Sequence, residues 1–238
     1  MGPRVSTMTP RDALPEGESK RVAVEGMFDR LAPRYDRMNR VISLGLDRRW
    51  RRRTVASLAV PPGSLVLDLA CGTGDLCRDL AAVGCPAVGV DFSAGMLAAA
   101  HVSTPLARGD AASLPFQEGA FDGVVCGFAL RNFVDLEVVF RECARVLRRG
   151  GRFVALDAAV PEHLLMRLGN TVWFRGAVPL LGRLLSRDPS AYRYLPRSTA
   201  YLPDTPELVA GLQRAGFGAV THVVLTGGSV QLLAGTRS

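Results

Sequence analysis

The sequence predicts an α/β domain with a mostly parallel sheet, a late antiparallel strand and helices on both faces. Three observations carry this expectation. From residue 64 onward, short apolar runs of strand length alternate with stretches of helical pattern, which implies crossover connections. The first apolar run ends in the glycine-rich turn Cys71-Gly72-Thr73-Gly74, and a helix follows from Asp75. The second, Ala87-Val88-Gly89-Val90, ends on an acidic residue, Asp91. A strand, a glycine turn and a helix, then a strand closed by a carboxylate, form the plan of a nucleoside-binding domain.

The elements follow in order. Residues 1–23 are rich in proline, glycine and charge and lack an apolar signal core, so they read as a disordered lead-in to one domain spanning 24–238. Residues 21–58 carry Met27, Leu31, Met38, Ile42 and Leu46 at near-helical spacing, with Pro33 and Gly45 as breaks. Then come strand 64–69, helix 75–83, strand 86–91, helix 93–100, strands 104–108 and 121–127, helix 135–148 and, after the turn signal Gly150-Gly151, strand 152–158. Residues 160–203 break the rhythm. Their apolar positions, among them Leu164, Leu168, Val172, Trp173 and Leu184, are interrupted by single arginines, and the stretch reads as an amphipathic helical insertion. It would serve as a lid, as an interfacial element or as plain packing on the domain. Helix 205–215, strand 217–225, the turn Gly227-Gly228 and strand 229–235 close the chain in a hairpin.

Composition bounds the function. At 238 residues, 48% hydrophobic and 21% charged, the chain suits a single globular domain. No uncharged apolar run reaches the about 18 residues that a membrane span requires. The five cysteines (71, 77, 85, 126, 143) lack metal-type spacing and sit in apolar contexts, so reduced buried thiols are expected, and no metal site. The net charge of +7 comes almost wholly from arginine, Lys20 being the one lysine. Arg48, Arg49, Arg51, Arg52 and Arg53 flank Trp50, forming either a solvated helix face or a contact with an anionic membrane surface. No motif supports nucleic-acid binding.

The ligand is narrowed by charge. A dinucleotide turn requires a third glycine where Cys77 stands. No basic residue lies in the turn to meet a pyrophosphate, whereas Asp68 and Asp75 flank it, which suits a cationic ligand. S-adenosylmethionine, with a sulfonium and an ammonium, fits best; a nucleotide cofactor is the alternative. Asp91 would hold the ribose hydroxyls, or cap the next helix. Asp110 and Ala111, after the third strand, would meet the adenine, with Phe92 and Met96 beside it. Asp68, Gly72, Thr73, Gly74 and Gly127 complete the expected cofactor set.

Several segments resemble the quinone-biosynthesis C-methyltransferases, the demethylmenaquinone and 2-polyprenyl-benzoquinol enzymes among the class I S-adenosylmethionine-dependent methyltransferases. The resemblance covers roughly 24–236. It rests on Met27-Phe28-Asp29, on Tyr35-Asp36-Arg37-Met38-Asn39 with Ser43 and Trp50, on Phe128-Ala129-Leu130-Arg131-Asn132, on Tyr192-Arg193-Tyr194-Leu195-Pro196 and on Leu225-Thr226-Gly227-Gly228. Four departures stand out. Asp47 replaces a His, Gln or Arg, Arg149 a Pro, Asp157-Ala158-Ala159 a Glu-x-Ser, and Gly127 a Ser.

The resemblance implies methyl transfer to a ring carbon of a prenylated quinol, demethylmenaquinol being favoured on the arginine-rich composition. A phenol with a pKa near ~10 needs its anion stabilised or its proton removed before the ring is nucleophilic. Arg131 is the candidate cation for that oxygen, unless it pairs with Asp135, and Asn132 would orient the oxygen. Tyr35, Asp36 and Tyr194 are candidates for the acceptor side, while no histidine (101, 163, 222) matches a motif. Another phenolic acceptor, or a non-catalytic cofactor-binding scaffold, are the rival readings. The expected partners are a prenylated quinol and a transient membrane surface at the cytoplasmic side, and a homodimer is compatible with the chain.

Overall fold

The central strands line up because each carries apolar residues on both faces and needs helices on both sides. The computed structural model describes residues 15–161, 163–173, 176, 194 and 197–238. Three helices come first: α1 (Gly17–Leu31), α2 (Tyr35–Ile42) after a 3₁₀ turn at Ala32–Arg34, and α3 (Asp47–Leu58). The alternating part follows as β1 (Val66–Leu69), α4 (Asp75–Ala82), β2 (Ala87–Asp91), α5 (Ala94–Ala98), β3 (Leu106–Arg108), β4 (Phe121–Gly127), α6 (Leu136–Val146) and β5 (Leu147–Ala158). Helix α7 (Leu164–Val172), helix α8 (Thr205–Arg214) and the strands β6 (Phe217–Leu225) and β7 (Val230–Arg237) complete it.

The strand order is β3-β2-β1-β4-β5-β7-β6. All neighbours pair parallel except β7, which runs antiparallel to both β5 and β6. The expected late antiparallel strand is therefore β7, inserted between β5 and β6. The order reverses direction at β1, so the crevice outside the ends of β1, β2 and β4 is where such a sheet binds ligands.

Alternation along the strands sends Leu67, Val124, Phe153 and Leu233 to one face and Val66, Val125, Val154 and Leu232 to the other. On the first face they meet Phe140 and Cys143 of α6 and Leu208 and Leu212 of α8. On the second they meet Trp50 and Leu58 of α3 and Leu76 and Leu80 of α4. A third, smaller cluster of Met27, Leu31 and Met38 lies under α1 and α2, with Trp173 and Tyr194 packed against it.

Order begins earlier than the composition suggests. Helix α1 starts at Gly17, inside the stretch 1–23 expected to lack structure, and Lys20 is buried. Its Nζ donates to the Phe133 carbonyl at 2.6 Å and lies 3.8 Å from the centre of the Tyr201 ring. At its other end α1 is tied to α5: Asp29 Oδ1 accepts from Ser93 Oγ (2.5 Å) and from the Gly95 amide (2.9 Å). A Cβ at Gly95 would stand 2.8 Å from the Asp29 Cα, so the close approach requires glycine. Of the helical insertion expected over 160–203, Leu164–Val172 is helical, while 162, 174–175, 177–193 and 195–196 lie outside the described residues, Tyr192 and Arg193 among them.

Candidate active site

Two cavities open at the ends of β1, β2 and β4. The larger, about 440 Å³, lies under α2, α3 and α7; the smaller, about 290 Å³, lies under α1. Phe28, Tyr35, Ala70, Gly72, Gly127 and Phe128 line both, so the cavities meet at the glycine turn. A ligand shared between them would run past these residues.

The turn is shaped for close approach. Gly72 and Gly74 have φ of +56° and +84°, the left-handed region that glycine occupies without strain. A Cβ at Gly72 would meet Met96 Cε at 3.0 Å, and one at Gly74 would meet Val102 Cγ1 at 2.7 Å. Gly72 lines the cavities, whereas Gly74 lines neither and serves the packing of α4 against Val102.

Asp68 is buried beside the turn. Its Oδ2 accepts from the Cys77 amide at 3.1 Å and from Cys77 Sγ at 3.2 Å, while Oδ1 has no hydrogen-bond partner among the described residues. Burial, with the adjacent thiol, pushes its carboxyl well above the usual range. An unpartnered oxygen in a site lined by Asp68, Asp75 and Thr73 suits a cationic ligand, which is the charge of the amino-acid end of S-adenosylmethionine. The smaller cavity holds Asp91, Phe92, Met96, Asp110 and Ala111. Asp91 Oδ2 accepts from the Gly72 amide (2.7 Å) and Oδ1 from the Ser93 amide (2.8 Å); burial raises its carboxyl above the ordinary value. Ser93, not Asp91, caps α5, through Met96 N at 3.0 Å. Asp110 Oδ1 accepts from the Ala112 amide, and Oδ2 faces Arg21 at 3.5 Å, whose guanidinium lies over the Phe92 ring. The donors, acceptors and cradle fit the cofactor expected from the sequence.

The acceptor-side candidates separate. Tyr35, Arg131 and Tyr194 line the larger cavity, and Asn132 the smaller. Arg131 is buried and pairs through Nη1 with buried Asp157, while its Nε donates to Ser198 Oγ at 3.1 Å. The partner anticipated from sequence, Asp135, caps α6 through Val138 N instead. Sequence reasoning missed the Arg131–Asp157 pair because 26 positions and a strand–helix crossover separate the two. Asn132 Oδ1 accepts from the Tyr194 hydroxyl at 3.0 Å, and burial raises the Tyr194 and Tyr35 phenols. Asp36 lines neither cavity; it is exposed and accepts from Thr73 Oγ1 at 2.5 Å, bracing the turn from outside. At Gly127 a Cβ would sit 2.9 Å from Leu76 Cδ1, so a serine there would displace the end of that side chain. All five cysteines are free and buried.

Comparison with known proteins now places the chain. A model of the ubiE/COQ5 methyltransferase family matches residues 16–237. A demethylmenaquinone methyltransferase of Roseiflexus sp. (strain RS-1) is 41% identical over 232 residues, 94% of this chain and 97% of its own length. One from Mycobacterium marinum is 45% identical over 215 residues, 90% of this chain and 93% of its own. Among solved structures, a methyltransferase of Thermotoga maritima described as a possible histamine N-methyltransferase shares the fold at TM-score 0.64 and 18% identity, over 90% of this chain and 99% of its own. The chain belongs to the ubiE/COQ5 methyltransferase family, and it is an S-adenosylmethionine-dependent methyltransferase.

Proposed function

From that membership we propose that the chain methylates a ring carbon of demethylmenaquinol, a prenylated quinol, to give menaquinol. The observation that carries the proposal is the junction of the two cavities at Tyr35, Gly72, Gly127 and Phe128. The smaller cavity offers Asp91 and Asp110, while the larger brings Asp68, Thr73 and Asp75 beside the glycine turn and carries Arg131 in its wall. When bound, S-adenosylmethionine supplies an electrophilic methyl group on its sulfonium. Asp91 would hold the ribose hydroxyls, Asp110 and Ala111 the adenine edge, Met96 and Phe92 its faces, and Asp68, Thr73 and Gly72 the amino-acid end. Arg131 would stabilise negative charge on the ring oxygen as the ring carbon becomes nucleophilic. Tyr194, whose hydroxyl donates to Asn132, would position the acceptor beside Arg131, while Asn132 itself faces the cofactor side and Tyr35 stands at the junction. Labelled methyl transfer to reduced demethylmenaquinone tests the reading: product with a new ring methyl is expected. Cofactor binding without product, with turnover of other phenolics, would overturn it.

The enzyme would also meet its substrate at an anionic membrane surface on the cytoplasmic side, since a polyprenyl tail resides in the bilayer. Around the mouth of the larger cavity, Leu44 (69% exposed), Val160, Leu164, Leu168 and Val172 (71%) turn apolar side chains to solvent. Helix α7 is anchored there by Trp173, whose Nε1 donates to the Ile42 carbonyl at 3.0 Å. Beside them Arg37, Arg40, Arg48, Arg49, Arg52 and Arg53 are exposed, without an ion pair among the described residues. At about 1 kcal/mol per basic residue near an anionic surface, replacing Arg48, Arg49, Arg52 and Arg53 by Gln should weaken vesicle binding by at least a hundredfold. Unchanged sedimentation with phosphatidylserine vesicles would remove this surface from the proposal.

A further inference from the structure

Two polar residues of the larger cavity have no part in the roles above. Ser43, half-buried just after α2, and Asp47, buried at the start of α3, both line it. Ser43 Oγ donates to Asp47 Oδ1 at 2.8 Å; a second acceptor near it, the Arg40 carbonyl, lies at 3.4 Å. The shorter bond to a carboxylate is the stronger, so the hydroxyl hydrogen is committed to Asp47.

Asp47 is itself fixed. Its Oδ2 accepts from Arg51 Nη1 at 2.6 Å, and Arg51 is held in turn by Asp75 and Asp79, both at 2.9 Å. Burial opposes its ionisation, but the bonds from Ser43 and Arg51 outweigh burial and keep its carboxyl below the usual range. Asp47 therefore stays an anion that only accepts. With its hydrogen spent on that anion, the Ser43 oxygen has only lone pairs left for the cavity.

An oxygen of that kind accepts from a ring hydroxyl and repels a ring carbonyl. We propose that Ser43, oriented by Asp47, reads the redox state of the acceptor: it takes a hydroxyl of the reduced 1,4-dihydroxy ring and disfavours the oxidised 1,4-dione. This inference rests on the quinol reading above. Its chemical sense is direct, because only the hydroxyl-bearing ring has a carbon rich enough in electrons to be methylated, and a bound dione would block the site. Ser43 is the contacting residue; Asp47 is a positioning residue that acts through it. Arg131 lines the same cavity, so its wall carries a cation as well as this acceptor.

The test measures binding, not turnover. The probes are 2,3-dimethyl-1,4-naphthoquinone and the corresponding diol, whose reactive ring carbons are blocked against both methyl transfer and thiol addition. Each is titrated anaerobically by calorimetry into the full chain with S-adenosylhomocysteine present. One net hydrogen bond of about 1 to 1.5 kcal/mol predicts that wild type binds the diol about tenfold more tightly than the dione. Ser43→Ala should bring the ratio close to one. Asp47→Asn, whose amide can donate to Ser43 and turn its hydrogen toward the cavity, should narrow or invert the ratio. Equal affinities in wild type, or a ratio unchanged in both variants, would overturn the assignment. So would variants that melt earlier but keep the wild-type ratio, since that is the signature of a purely structural pair. Failure of wild type to methylate demethylmenaquinol would end the substrate reading, and the ratio would still decide the role of Ser43.

Discussion

Replacing Arg131 separates its service to the fold from its service to the reaction. Its side chain is 7% exposed and that of Asp157 is fully buried, so Arg131→Met strands a carboxylate in the interior. Removing one partner of such a pair costs about 3–5 kcal/mol in general. Here Asp157 keeps two amide donors, Ala158 N at 2.7 Å and Arg131 N at 3.2 Å, which places the cost at the low end, about 3 kcal/mol. For a chain of this size that corresponds to a fall in Tm of about 6–12 °C. Adding Asp157→Asn removes the stranded charge and leaves an oxygen for those amides, so the double variant should recover most of the loss. Turnover should not recover: without the guanidinium, methyl transfer should stay about a hundredfold or more below wild type in both variants. Denaturant unfolding and labelled methyl transfer, run on the same preparations, give the two readouts. A double variant that regains both stability and turnover would refute a role for Arg131 beyond pairing with Asp157.

Asp91→Ala should weaken S-adenosylhomocysteine binding about tenfold or more in calorimetry, as two hydrogen bonds to a charged acceptor are lost; unchanged affinity would take Asp91 out of the site. Gly74→Ala forces a Cβ to 2.7 Å from Val102 at φ +84°, and should cost about 1–3 kcal/mol in urea unfolding, partly relieved by Val102→Ala. Wild-type stability in the single variant would contradict the packing described. Burial lowers the Lys20 ammonium from 10.5 to about 8. The folded chain then binds fewer protons than the unfolded chain between those values, so stability attributable to Lys20 rises with pH across that window. The unfolding free energy of wild type relative to Lys20→Met should climb over the same range; a flat difference would show that the ammonium is not desolvated.

The sheet and the cofactor half of the site were legible because their signals are local. Strand β1, the turn at 71–74 and Asp91 at the end of β2 follow one another closely along the chain, and alternation fixed the elements between them to within a few residues. The acceptor half was not legible in the same way. Its geometry comes from pairs far apart in sequence: Arg131 with Asp157, Tyr194 with Asn132, Trp50 with Thr226 at 2.8 Å. No periodicity announces such partners. A nearby carboxylate, Asp135, was the obvious sequence candidate for Arg131 and was taken up by a helix cap. The first turn of α1, ahead of the helical spacing that begins at residue 21, escaped for a related reason. Charged residues interrupt its apolar positions throughout, and what fixes it is one lysine on a distant carbonyl and ring, and one aspartate on α5. Asp36, beside Tyr35 in the sequence, was expected in the site with it. One residue along a helix turns the side chain by about a quarter of a turn, enough to put it outside the cavity.

The distribution of charge supports the proposed division of labour between the two ends of the site. The chain carries a net +7, yet the side of the glycine turn against α2–α4 is acidic: Asp36, Asp47, Asp75 and Asp79 surround Arg51 and Arg78. Four carboxylates against two guanidiniums leave an excess of negative charge beside the site, screened least around Asp47 and Arg51, the most buried of the six. The compensating arginines lie outside, on the exposed faces of α2 and α3. A cationic methyl donor is thus favoured within, and an anionic surface without. Cancelling the inner excess, with Asp75→Asn and Asp79→Asn together, should weaken S-adenosylmethionine more than the neutral-sulfur product S-adenosylhomocysteine. Equal loss for both ligands would mean that the cluster serves only to dock α3 on α4.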